Sequence, residues 1–199
     1  MGQRSQIYIR YILNDEGQQY KGLIARYYSW NYGERMISRA RYILEWINEY
    51  YTKGYKSIFN SFTFLQRLER ICDVNFDMKD VVLSADIIKE IQENEFLDIE
   101  YLFSQDNNDG QLYIDINDKG IKYCFTKYCH EGKPMTGEEY MAWNNPDKED
   151  WHKPDECLDE KVVKYTEDNI KAIDEIATLM TQEELDEFVN ADYQYCFSD

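Results

Sequence analysis

Hydrophobic and polar positions alternate at the start of the chain, where Ile7, Ile9 and Tyr11 interleave with Tyr8, Arg10 and Ile12. A period of two sends successive side chains to opposite faces and predicts a strand over residues 5–13. Asn14-Asp15-Glu16-Gly17 is turn chemistry, and residues 22–30 supply the second strand of a hairpin. The period then lengthens. Met36 or Ile37, Ala40, Leu44, Ile47 and Tyr51 share one helical face, which predicts a long helix to about Tyr51. Asn31 with Glu34 three residues later resembles a capping-box start, and Lys53-Gly54 a stop.

A second helix is expected over residues 58–72, with Phe62, Leu65, Leu68 and Cys72 on one side, and a short one over 84–93, with Ile87, Ile88 and Ile91 inward. The period then returns to two. Residues 96–103, 111–116 and 121–126 predict a three-strand meander, turned at Asn107-Asn108-Asp109-Gly110 and Asn117-Asp118-Lys119-Gly120. Residues 132–154 are expected to be irregular, and helices to follow near 159–178 and 182–190. The implied fold class is α+β: one antiparallel sheet of about five strands, made of the N-terminal hairpin and the central meander, covered by helices and finished by a C-terminal helical segment. A single domain over residues 1–199 is expected, with 155–199 as an acidic helical cap that packs semi-independently.

Charge changes this picture more than composition does. The net charge is −17, yet residues 1–71 carry 11 Lys plus Arg against 6 acids (+5), while residues 72–199 carry 11 Lys against 33 acids (−22). All eight arginines (Arg4, Arg10, Arg26, Arg35, Arg39, Arg41, Arg67 and Arg70) lie in the first part. Arginine makes bidentate pairs that lysine cannot, so an arginine-bearing layer packed beside an acidic one explains this split. The 18 tyrosines suit half-buried positions or a binding surface, because the ring packs while the hydroxyl stays wet. Five cysteines, an odd number without a C-x-x-C pair, favour a reducing compartment. The opening residues lack an apolar signal core, and no apolar run approaches the ~20 residues of a membrane helix. A cytoplasmic protein with no membrane partner is expected.

Candidate chemistry is sparse. Cys124, Cys129, His130, His152 and Cys157 cluster within 34 residues and supply zinc-type ligands, but no pair has the tight spacing of zinc loops. Metal binding by this set is left open, with no metal site assigned and no cofactor expected. The loop around Gly110 lacks EF-hand carboxylates at its first and twelfth positions, Gln105 and Ile116, and is a hairpin turn. There is no G-x-S-x-G, Gly-rich phosphate loop or H-E-x-x-H, so no catalytic residue is assigned and a non-enzymatic role is favoured. Arg35 and Arg39, four apart on the first helix with Tyr42 and Trp46 beyond, form a candidate phosphate-binding face, approached by Arg4 and Arg10.

The most distinctive feature is acidic. Asp147, Glu149, Asp150, Asp155, Glu156, Asp159 and Glu160 place seven carboxylates in fourteen residues, with Trp143 and Trp151 among them. Such density suits either a solvated face or a surface that competes with the phosphates of a nucleic acid. It also disfavours direct nucleic-acid binding by this chain.

The opening Gly2-Gln3-Arg4-Ser5-Gln6, followed by Tyr20-Lys21-Gly22-Leu23-Ile24-Ala25-Arg26-Tyr27-Tyr28-Ser29-Trp30-Asn31-Tyr32-Gly33, resembles uncharacterised proteins of bacterial phages and prophages. The resemblance covers about 35 residues and implies a mobile-element origin in a bacterial host cell, with no family activity to transfer. Together these features point to a stoichiometric binder: an acidic inhibitor or nucleic-acid decoy of a basic, nucleic-acid-handling host or defence protein. The carboxylates from Asp147 to Glu160 would carry that contact, with Trp143 and Trp151 as its apolar anchors. The alternatives are a small enzyme or phosphate-binding domain using Arg35 and Arg39, or a phage structural component.

Overall fold

The strands β1 (Arg4–Asp15) and β2 (Gln18–Ser29) pair antiparallel along their whole length, from Arg4 opposite Ser29 to Asp15 opposite Gln18. Gly17, with φ at +84°, turns this hairpin in a region of backbone space that a side chain disfavours. The computed structural model describes residues 4–15, 17–29, 31–52, 66–68, 72, 85–86, 109–127 and 132–193. Helix α1 (Glu34–Thr52) follows, then β3 (Ala85–Asp86), the hairpin β4 (Gln111–Asn117) and β5 (Gly120–Thr126), α2 (Gly137–Asn144), α3 (Glu160–Ile176), β6 (Thr178–Leu179) and α4 (Gln182–Val189).

Among the described residues the strands form one six-stranded sheet in the order β3-β2-β1-β4-β5-β6. The α+β class holds, but the sheet is mixed rather than antiparallel: β4 runs parallel to β1, and β6 parallel to β5. The physical reason lies in β1. Its residues are buried from Ser5 to Arg10, so it demands a partner on its free edge, and the long β2–β4 connection permits a crossover that a tight turn forbids. Ala85 and Asp86, expected in a short helix, pair instead with Tyr27 and Arg26 at the β2 edge. Residues 66–68 and 72 are helical as expected, whereas 58–65, 87–93 and the strand expected over 96–103 lie outside the described residues.

The period of two distributes β1 between two cores. Ile7 and Ile9, with Leu112, Ile114 and Ile116 of β4 and Tyr123 and Phe125 of β5, meet Met36, Ile37, Ala40, Ile43, Leu44 and Ile47 of α1 and Val163, Ile170 and Ile173 of α3. Asn169 of α3 binds α1 directly, accepting from Arg41 Nη1 at 2.7 Å and donating to Ser38 Oγ at 3.2 Å. On the opposite face Tyr8, Tyr113, Cys124 and Leu23 pack with Leu185 and Phe188 of α4, with Met180 and with Tyr193. Among the described residues no helix is long and apolar enough to cross a membrane.

Arg10 lies on this second face, in register with Asp115 across the parallel β1–β4 pair. Nε and Nη2 of Arg10 donate to Asp115 Oδ1 and Oδ2, both at 2.8 Å, and the guanidinium lies over the Phe188 ring, 4.7 Å from its centroid. Burial disfavours the charge, but the Asp115 hydrogen bonds and charge outweigh it, so the Arg10 pKa is raised. Breaking the pair from one side strands a buried charge. Arg10→Met or Asp115→Leu is therefore expected to destabilise the fold by about 3–5 kcal/mol, and the double substitution to recover most of that loss. Urea denaturation of the three variants measures the coupling; a double variant destabilised by the sum of the two single losses would show that there is none.

Candidate functional site

The acidic surface is assembled from three elements. Thr136 and Glu139 form a reciprocal capping box that starts α2 inside the stretch expected to be irregular. Gly137 lets α2 approach the core: a Cβ there would lie 2.9 Å from Ile170 Cγ1 and 3.2 Å from Ile37 Cδ1. The loop after α2 is then held by its own carboxylates. Asp155 Oδ1 accepts from the amides of Cys157 and Leu158, both at 2.7 Å, and Oδ2 lies 2.6 Å from Lys148 Nζ. Asp159 caps α3, accepting from the amides of Lys161 and Val162 at 2.9 Å. The buried side of α3 is Val163, Thr166, Asn169, Ile170 and Ile173. That rotation leaves Glu160, Glu167 and Asp174, seven apart, along one solvent flank.

His152 ties the three elements together. Its Nε2 is 2.9 Å from Glu138 Oε1 of α2 and 3.9 Å from Glu167 Oε1 of α3, and its Nδ1 is 2.8 Å from Asp150 Oδ1 of the loop. The hydrogen bonds from His152 hold the Asp150 carboxyl below its ordinary value. The imidazole stacks on Trp151 at 4.1 Å, and Trp151 Nε1 donates to Glu138 Oε1 at 3.0 Å. Three carboxylates from separate elements thus converge on one ring. Farther along the flank, Asp174 accepts from the Tyr123 hydroxyl; burial and then this bond push the phenol pKa up. Asp147, Glu149, Glu156 and Glu160 are exposed, and their side chains make no hydrogen bond or ion pair among the described residues.

The structure divides the carboxylates expected to bind a partner. Asp155 and Asp159 work as local caps and Asp150 is bound by His152, whereas the other four point free into solvent. The two tryptophans are not available as anchors. Trp151 is 3% exposed because it packs in the large core, and Trp143 is half-buried against that core and tilted over Tyr140. Tyr165 of α3 is 56% exposed, but it stands two residues from Glu167 and five from Glu160, about 160° and about 140° around the helix, and so lies on the flank opposite to these acids.

The arginine face expected at Arg35 and Arg39 does not form. Arg39 is 1% exposed: Nε donates to Asn31 Oδ1 at 3.0 Å, Nη1 to the Cys72 carbonyl at 3.1 Å, and the guanidinium lies over the Tyr28 ring. Asn31 is consequently no helix cap; its side chain donates to Ser5 Oγ and accepts from Arg39. Arg35 stays at the surface, 3.8 Å from Glu34, and Arg10 faces α4, away from α1. The zinc-type set is not gathered either. Cys124 is buried beside Met180, its thiol pKa pushed up by burial, while His152 and Cys157 lie on the exposed loop. Cys129 and His130 lie outside the described residues. Among the described residues no group of three or more His, Cys, Asp and Glu is arranged to hold a metal ion.

No protein-family model matches the chain, and no curated protein or solved structure matches it.

The two caps have separable signatures. Asp159→Ala is expected to cost about 1 kcal/mol in thermal or urea unfolding, while Asp159→Asn, which keeps the accepting oxygen, is expected to cost little. The Asp155 carboxyl is lowered from 3.8 to about 2 by the Lys148 side chain and by the Leu158 and Cys157 amides. A depressed carboxyl stabilises its turn above its ordinary pKa and loses that contribution as pH falls through the folded value. An NMR titration of the Asp155 side chain is expected to show a midpoint near 2, rising toward the ordinary carboxylate range in Lys148→Ala.

Proposed function

We propose that this protein is a stoichiometric binder whose α2–α3 acidic surface engages a basic, nucleic-acid-handling protein and acts as its inhibitor or nucleic-acid decoy, in the manner of an anti-CRISPR. The observation that carries this reading is the convergence of Glu138, Asp150 and Glu167 on His152. It brings carboxylates that are separated along the chain to one place, which supports reading this surface as a single negative patch. Residues seven apart on a helix stand about 10.5 Å apart along its axis, which is sparser than the phosphates of a nucleic-acid strand. The loop carboxylates Asp147, Glu149 and Glu156 supply the missing density. No arginine follows Arg70, so apart from His152 the basic side chains contributed by residues 138–176 are all lysines.

Complementary charge steers association and sets register more than it adds affinity, so an apolar contact is also required. The charges to reverse are those without structural duties. Capture from bacterial lysate and kinetics on the captured protein compare the native chain with an Asp147→Lys, Glu149→Lys, Glu156→Lys, Glu160→Lys variant. Association is expected to slow by about tenfold or more in this variant, and in the native chain as salt rises from about 0.05 M to about 0.5 M. Undiminished binding by the four-lysine variant sinks the reading.

A further inference from the structure

The second core, on the sheet face opposite α1 and α3, does not cover that face completely. Between the β4–β5 turn and α4 it leaves a cleft of about 290 Å³, walled in part by Arg10, Asp115, Lys119, Lys122, Glu184 and Glu187. Its volume lies near the lower limit for small-molecule sites. The floor is rigid, because Arg10 and Asp115 are buried and hold each other by two hydrogen bonds, and Asn117 Nδ2 donates to Asp115 Oδ2 at 3.2 Å. Lys122 is likewise engaged, by Glu184.

What these pairs leave over defines the chemistry of a ligand. Arg10 lines the cleft, is 5% exposed and spends Nε and Nη2 on Asp115, which leaves Nη1 with no hydrogen-bond partner among the described residues. Lys119 on the turn and Glu187 on α4 are exposed, and neither side chain has an ion pair or hydrogen bond among the described residues. A buried guanidinium edge and an ammonium thus offer donors to an anionic group, and a carboxylate on the helix side offers an acceptor to a cationic one. Ile12 adds an apolar wall.

We propose that this cleft binds a small zwitterion of the α-amino acid class, its carboxylate held by Arg10 Nη1 and Lys119 and its ammonium by Glu187. Both charges of such a ligand find opposite fixed charges, whereas a simple anion leaves Glu187 and Asp118 opposed to it and a simple cation leaves Lys119; Asp118, which also lines the cleft, accepts from Asn14 Nδ2. The site lies on the other face of the sheet from α1 and α3, and it stands or falls independently of the acidic surface.

The test is a titration of the full-length, isotope-labelled chain with each proteinogenic amino acid, followed by NMR and calorimetry, with acetate and methylammonium as single-charge probes. At least one amino acid is expected to saturate below about 10 mM and to shift the amides of Lys119, Gly120, Lys122 and Glu187. Acetate and methylammonium are expected to bind at least about tenfold more weakly. Lys119→Gln and Glu187→Gln, exposed substitutions that leave the floor intact, are each expected to weaken the amino acid about tenfold. Absence of any saturating amino acid, equal binding of acetate, or unchanged binding in both variants would overturn the assignment.

Discussion

The ion pair between Arg10 and Asp115 joins residues 105 positions apart in the chain, and the rest of the molecule is arranged around it. It sits where the first hairpin meets the second, in register across the one parallel seam at the middle of the sheet. A buried guanidinium needs acceptors for its donors, and Asp115 supplies two at this one register, so the pair disfavours slips by one residue, which would exchange every side chain between the two faces. With the register set, the apolar positions of β1 and β4 divide between the α1–α3 core and the smaller α4 core. Phe188 then closes over the guanidinium and seats α4. The cleft beside it is a consequence: two charges that must be buried keep the apolar core from filling that end of the face.

The same economy explains where the arginines are used. Arg39 crosses the buried junction of β1, β2 and α1, reaching Asn31, the Cys72 carbonyl and the Tyr28 ring with one planar group. Lysine has no fork with which to make such contacts. Of the carboxylates later in the chain, Asp115 meets Arg10; Glu139, Asp155, Asp159 and Glu184 cap helices and turns.

Capping also settles which acids can serve a partner. A carboxylate accepting two backbone amides has little capacity left for a lysine or arginine across an interface, whereas Asp147, Glu149, Glu156 and Glu160 retain all of theirs. His152 has a different part. By bonding Glu138 and Asp150 it holds together like charges that would otherwise spread the loop away from α2 and α3. One ring, stacked on a buried tryptophan, brings Glu138, Asp150 and Glu167 together.

In β1, β4, β5 and α1 the period of burial was sufficient, whereas the period over residues 84–93 predicted a helix where Ala85 and Asp86 pair as a strand. Alternation in β1, β4 and β5 and the helical stripe of α1 are local consequences of which residues avoid water, and they named those elements and their inward faces. The Thr136-x-x-Glu139 capping signal of α2 was also present, hidden among proline, glycine and tryptophan. Tertiary structure alone decided the rest: that β4 lies parallel to β1, that Arg39 and Trp151 turn inward, that Asn31 serves Arg39 rather than a helix end, and that α2, the loop and α3 share one imidazole. Each of these depends on which distant group satisfies a buried polar atom. That choice is made by the approach of whole elements in space, and no spacing along the chain encodes it.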